Sequence, residues 1–138
     1  MDDYANSNIT TVRASGLFAG DTLTTVNDIA DNGTLQLGGV EAIDATVDFT
    51  IGVKNAGSAG ANSNVFNIET RGSLAVDTGD ITIANVETIN ITSEGAATGD
   101  SIALLAAAQM QTLNVSGSAD LTITALTGST AMSNLSTA

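Results

Sequence analysis

The chain aligns on itself, and the spacing of that self-match restricts what it can fold into. Residues 35–45 (Leu-Gln-Leu-Gly-Gly-Val-Glu-Ala-Ile-Asp-Ala) match residues 81–91 (Ile-Thr-Ile-Ala-Asn-Val-Glu-Thr-Ile-Asn-Ile) without a gap, 46 positions apart. Apolar residues coincide at 35/81, 37/83, 40/86, 43/89 and 45/91, a Glu at 41/87, and Asp44 meets Asn90. Met110-Gln-Thr-Leu-Asn-Val115 repeats the segment from Val86 to Ile91, Phe66-Asn-Ile68 falls halfway between the first two copies, and Met132-Ser-Asn-Leu135 continues the series. The anchors of the series are Ile43, Phe66, Ile89, Leu113 and Leu135, almost evenly spaced. A period near 23 is too long for a hairpin meander and suits one coil of a solenoid.

Each coil carries two short alternating segments, clearest at Ile81-Thr-Ile83 and Ile89-Asn-Ile91. Alternation puts one face in a core and the other in water. The spacing therefore predicts an all-β, parallel β-solenoid with coils of about 23 residues. Its core takes Leu35, Leu37, Val40, Ile43, Phe66, Ile68, Ile81, Ile83, Val86, Ile89, Ile91, Met110, Leu113, Val115, Leu121 and Ile123. Asn67, Thr82, Asn90, Thr92 and Asn114 point outward. The column Asp44, Asn67, Asn90, Asn114 reads either as a ladder of stacked side-chain amides or as a plain polar outer row.

Parts of the chain break this pattern. Residues 1–30 fit the repeat poorly and read as an edge or capping segment, with the solenoid running from 31 to 138. Residues 55–64, low in complexity, read as a loop off a coil. Ile102 and Leu104 follow Ile81 and Ile83 at slightly less than the period, and the run after them is rich in Ala. A short helix over 101–109, capped by Asp100 or Ser101, is one reading of that segment. It opens a second solenoid type, the leucine-rich repeat, which ranks lower because the other copies hold no helical stretch. The chain stops within a coil, so we read it as a fragment of a longer repeat protein.

Composition excludes several function classes. The 138 residues hold 15 acids and 3 bases, a net charge of −12, and no Cys, His or Pro. Thiolate zinc sites, disulfides and His-dependent nucleophile systems are impossible. Three cations, Arg13, Lys54 and Arg71, make no nucleic-acid footprint. No apolar run reaches the ~18 residues of a membrane helix. Paired-carboxylate glycoside hydrolysis would want aromatic sugar platforms, and aromatics are only 3% of the chain. The reading is a non-enzyme. The Cys-free, acidic, Thr/Asn/Gly-rich composition is one met in secreted bacterial surface proteins.

The acids gather at turns. Asp21, Asp80, Asp100 and Asp120 each follow a Gly or Ala and precede an apolar segment, and Asp77 brackets a turn with Asp80. Carboxylates beside Gly-freed carbonyls are the oxygen donors that Ca²⁺ takes. The ion is expected to be shared between coils or molecules, because no single turn offers six oxygens. The competing reading is that Gly-Asp is ordinary turn chemistry. Five Asn-x-Ser/Thr triplets, beginning at Asn8, Asn32, Asn90, Asn114 and Asn134, are discounted as products of composition.

The segment Ala84-Asn-Val-Glu-Thr-Ile-Asn-Ile-Thr-Ser93, with Val40-Glu-Ala-Ile-Asp44, Met110-Gln-Thr-Leu-Asn-Val115 and Leu121-Thr-Ile-Thr124, resembles the repeats of calcium-dependent bacterial surface-layer proteins of the Caulobacter type. The resemblance covers roughly residues 31–138. It implies a calcium-binding β-solenoid exported by a type I system, which assembles with copies of itself into a lattice on the cell surface. Family members are far longer than this chain. Large repeat adhesins exported the same way, which bind carbohydrate or a host ligand, are the near alternative, with cell-surface polysaccharide as a further partner.

Overall fold

In this computed structural model the described residues are 9–21, 24–58, 60, 63–94, 99–128 and 134–137, with side chains described for all of these except 24 and 134–137. Eleven strands are described: β1 (Thr11–Ala14), β2 (Thr24–Ile29), β3 (Gly33–Gly39), β4 (Phe49–Val53), β5 (Val65–Gly72), β6 (Asp77–Ala84), β7 (Thr88–Ser93), β8 (Asp100–Ala106), β9 (Thr112–Gly117), β10 (Leu121–Thr127) and β11 (Asn134–Thr137). Odd strands form one parallel sheet, β1-β3-β5-β7-β9-β11, and even strands a second, β10-β8-β6-β4-β2. The chain winds between them as a β-solenoid of about four turns.

The core is a set of apolar columns. Phe66, Ile89 and Leu113 are successive register partners, and Leu135 follows them in the register; Leu35, Ile68, Ile91 and Val115 make a second column. The even sheet supplies Phe49, Ile81 and Leu105. Phe66, Ile81 and Ile89 are wholly buried. Burying a side chain of this size contributes about 1.5–3 kcal/mol, so a thin core without Trp is held by the repetition of Ile and Leu.

The repeat is real, but its first coil is not where the self-match puts it. Phe66 pairs with Gly33, not Ile43, and Leu35 and Leu37 belong to the odd sheet while Ile81 and Ile83 belong to the even one. Ile43 and Ile89 are therefore not equivalent. The main cause is the loop before β5. Asn55 and Asn85 hold the same left-handed turn conformation, with φ of 60° and 57°. In one coil two residues separate that turn from the next strand, and in the other nine. The step from β3 to β5 is thus longer than the step from β5 to β7: Phe66 looks back to Gly33 on one side and forward only to Ile89 on the other.

The helix over 101–109 is also overturned. Residues 100–106 are strand β8, and Ile81 pairs with Leu105, one full coil on. The helical reading arose from pairing Ile81 with Ile102, three residues early. Ile-Ala-Leu-Leu-Ala is a short apolar run in which helix and strand cannot be told apart by period. Val40 is likewise exposed rather than buried, because Gly38 and Gly39 have φ of 84° and 142° and turn the chain out of the sheet. Val115, Leu121 and Ile123 pack against the core but are only partly buried.

Residues 11–29, where no repeat is legible, pair in the same sense. Thr11 lies beside Thr34, and β1 and β2 are the outermost strands of the two sheets at that end.

Candidate functional site

Between β1 and β2, β3 and β4, and β5 and β6 the chain crosses a third, narrow edge. Here Leu17, Ile43 and Val76 stack as parallel bridges. The Val76 N–H donates to Asp100 Oδ1 at 2.9 Å, and the Ser101 N–H donates to the Val76 carbonyl at 2.8 Å, so the edge continues into the next coil. Residues just after the bridges, Phe18, Asp44 and Asp77, face an open groove of about 340 Å³. Leu17 and Ile43 form its apolar base, with Ala42 and Ala45 beside them.

Local hydrogen bonds fix the acids. Asp44 Oδ1 accepts from the Thr46 N–H at 2.9 Å and the Thr46 hydroxyl at 2.6 Å, the Asp-x-Thr turn of elementary loop chemistry. The hydroxyl bond first, then the backbone bond, holds the Asp44 carboxyl below its ordinary value of 3.8. Asp77 Oδ1 accepts from the Ser101 hydroxyl of the next coil. Asp21 Oδ2 accepts from the Phe18 N–H at 3.0 Å and so fixes the turn that presents Phe18.

The five acids singled out by sequence go to different places. Asp100 is buried, and its carboxylate accepts from the Thr70 and Ser93 hydroxyls as well as from Val76. Asp77 and Asp21 lie at or beside the groove. Asp80 lies within β6, where its N–H donates to Asp48 Oδ1 at 2.7 Å, and Asp120 is exposed before β10. The even spacing of Asp80, Asp100 and Asp120 is not the coil spacing: Asp80 pairs with Leu104, and Asp100 with Leu121. Among the described residues no three acidic side chains form a set able to hold a metal ion. Among the described residues the five acids do not gather into a closed calcium site: Ca²⁺ takes six to eight oxygens, and the Asp100 carboxylate already serves three protein donors.

The polar column on the odd sheet is an amide ladder. Asn114 Nδ2 donates to Asn90 Oδ1 and Asn90 Nδ2 to Asn67 Oδ1, each at 2.8 Å. Asn67 Nδ2 closes the row on the Asn32 carbonyl at 3.0 Å, so Asn32 begins the ladder in place of Asp44. Asn90 and Asn114 are thereby committed, which removes two of the glycosylation triplets on physical grounds. Asn8, Met132 and Thr98 lie outside the described residues.

Sequence reasoning missed Phe18 and Asp44 as residues of the groove. One signal for Asp44 was present, the Asp-x-Thr spacing. Phe18 stands beside an ordinary Leu with no period to mark it. Comparison with known proteins gives no assignment for this edge or this fold: no family model, no curated protein and no solved structure matches the chain.

Proposed function

We propose that this chain is a non-catalytic structural segment of a bacterial cell-surface protein, assembling with copies of itself into an extracellular, S-layer-like lattice. One observation supports the reading above others: like residues stack on like through successive coils, Phe66 to Leu113 inside and Asn67 to Asn114 outside, so each coil repeats the one before it. The even sheet is bounded by β10 at one end and β2 at the other. In the 138 residues taken by themselves these two edges of parallel strands are complementary, so copies can meet head to tail.

A net charge of −12 opposes such contacts. Divalent cations act between copies in this proposal, at exposed carboxylates such as Asp80 and Asp120, because the residues do not fit a closed site. Negative-stain microscopy and sedimentation of the purified chain in calcium, in magnesium and in chelator test it. Ordered arrays in calcium are expected. A monomer in all three solutions at high concentration would sink the proposal.

A second reading, an adhesin that holds carbohydrate, draws on the outer face of the odd sheet. There Thr88 and Thr112, and Thr92 and Ser116, lie level on neighbouring strands on either side of the amide ladder and offer rows of hydroxyls. Retention on a glycan array without lattice formation favours this reading.

A further inference from the structure

The amide ladder has a direction, and that direction leaves one donor over. Asn67 Nδ2 lies 3.0 Å from the Asn32 carbonyl oxygen and 3.2 Å from the Gly33 carbonyl oxygen. A carbonyl oxygen only accepts, so the nitrogen of the Asn67 side chain must face the coil of Asn32. The rest of the row follows. Asn67 Oδ1 accepts from Asn90 Nδ2, and Asn90 Oδ1 from Asn114 Nδ2, each at 2.8 Å. At the head of the row Asn32 Oδ1 accepts from Asn67 Nδ2 at 3.2 Å. Every amide nitrogen in the ladder is thus spent on the coil before it, except that of Asn32. Among the described residues Asn32 Nδ2 has no hydrogen-bond partner.

Asn32 also differs from the others in its place. It is exposed on the turn between β2 and β3, in the left-handed conformation with φ of 61°. The backbone of that turn is held: the Asn32 N–H donates to the Val65 carbonyl at 2.8 Å and the Gly33 N–H to the Ala30 carbonyl at 2.9 Å. The next residue is a glycine, with no side chain to cover the amide. Two residues on, Thr34 lies between the buried Gly33 and Leu35 of β3 and so faces outward, level with Asn67. Among the described residues its hydroxyl has no partner. Asn-Gly-Thr is an Asn-x-Ser/Thr triplet, as are Asn90-Ile-Thr and Asn114-Val-Ser. Sequence treats the three alike. In the fold Asn90 and Asn114 lie within β7 and β9 with their nitrogens bonded, and only Asn32 of these three presents both the amide nitrogen and the hydroxyl to solvent.

We propose that Asn32 is an acceptor for an N-linked sugar, delivered by a glycosyl pyrophosphate donor. In the transfer Asn32 Nδ2 forms a bond to the anomeric carbon of the sugar. The bond from that carbon to the pyrophosphate oxygen breaks, its electron pair leaves with the pyrophosphate, and the amide proton passes to the transferase. The product keeps Asn32 Oδ1 and both carbonyls as acceptors for Asn67, so the ladder survives. A sugar on Asn90 or Asn114 would instead place bulk between neighbouring strands and break a ladder bond. The hydrogen bond from Gly33 to Ala30 also restrains the competing reaction, in which the Gly33 nitrogen closes on Asn32 Cγ and expels ammonia. The site is a turn, so it leaves the strand edges used in lattice contact untouched.

The test is transfer of glucose from a nucleoside diphosphate donor to the folded chain by a purified transferase that recognises Asn-x-Ser/Thr, read by peptide mapping in a mass spectrometer. Mapping separates Asn32 from Asn90 and Asn114, and from the triplets at Asn8 and Asn134. Synthetic peptides over residues 29–37, 87–95 and 111–119 supply the same triplets unfolded, and all three should react. In the folded chain Asn32 should react at least about tenfold faster than Asn90 or Asn114, which must wait for a strand to open locally. Asn32→Gln and Thr34→Val should each abolish transfer at this turn, with circular dichroism showing both variants folded, since both side chains are at the surface. An Asn32 that reacts in its peptide but not in the folded chain would overturn the proposal. Equal rates at Asn32, Asn90 and Asn114 in the folded chain would also overturn it, because the ladder would then not select the site. An unreactive 29–37 peptide would do the same, since the triplet itself would be no acceptor.

Discussion

Asp100 shows how much one side chain can determine in a repeat fold. It sits buried at the start of β8, and its two oxygens gather the Ser93 hydroxyl of its own coil with the Thr70 hydroxyl and the Val76 N–H of the preceding coil. Replacing it with Ala strands three buried donors, each worth about 1–3 kcal/mol when left unsatisfied. Asp100→Ala is expected to lose about 3 kcal/mol or more in urea unfolding, whereas Asp120→Ala, at an exposed turn, should change stability by less than about 0.5 kcal/mol. Equal effects would mean that Asp100 is not the bracket between coils. Asp44 makes a different residue-scale prediction. Its folded carboxyl is held below 3.8 by Thr46, so the stabilisation is fully present above that value and is lost as pH falls through the folded value. An NMR titration should place the Asp44 midpoint below 3.8, and Thr46→Ala should move it upward. Gly72 is fixed by contact: with φ of 112°, an added Cβ would lie 1.9 Å from the Gly39 carbonyl oxygen, so Ala there cannot be accommodated without opening the ladder.

At the scale of elements, the amide ladder and the inserted loop are the informative parts. Asn90 is both donor and acceptor in the ladder. Asn90→Ala removes two partly buried bonds and should cost about 1–2 kcal/mol; Asn90→Asp keeps the size but removes the donor and should cost a similar amount, read by thermal melting. The loop predicts the opposite. Deleting residues 57–63 joins Asn55-Ala56 to Asn64-Val65, the spacing seen at Asn85-Val86-Glu87-Thr88. Asn64 keeps its place, where its N–H donates to Glu87 Oε2 at 2.9 Å. The shortened chain should melt within a few degrees of the original, because loop length alone costs little.

The same elements explain what sequence could and could not give. Alternation and period revealed the solenoid from Phe66 onward, where Phe66, Ile89, Leu113 and Leu135 are true partners. The first coil was misplaced because one step is lengthened by the loop, and a chance likeness of Val40-Glu to Val86-Glu made a false register look gapless. The third edge was illegible for a plainer reason. A single bridged residue per coil leaves no period to read, and the groove depends on which irregular segments the register brings together. Of the five acids read as metal ligands, Asp21 and Asp77 lie near the groove, but their spacing carried no information about it.

At the scale of the whole molecule, every proposal depends on the corrected register, since it places Ile43 on the third edge and not under Phe66. The chain has no Cys, so pairs can be introduced cleanly. Register partners in neighbouring parallel strands lie about 4.8 Å apart, within the Cα separation a disulfide spans. The variant carrying Thr34→Cys with Asn67→Cys joins residues that the structure pairs. The variant carrying Asp44→Cys with Asn67→Cys joins residues that the sequence self-match would pair. Mild oxidation followed by intact-mass measurement under denaturing, non-reducing conditions should show an intramolecular disulfide in the first variant and free thiols in the second. A disulfide in the second and free thiols in the first would contradict the fold described here and remove the groove with it.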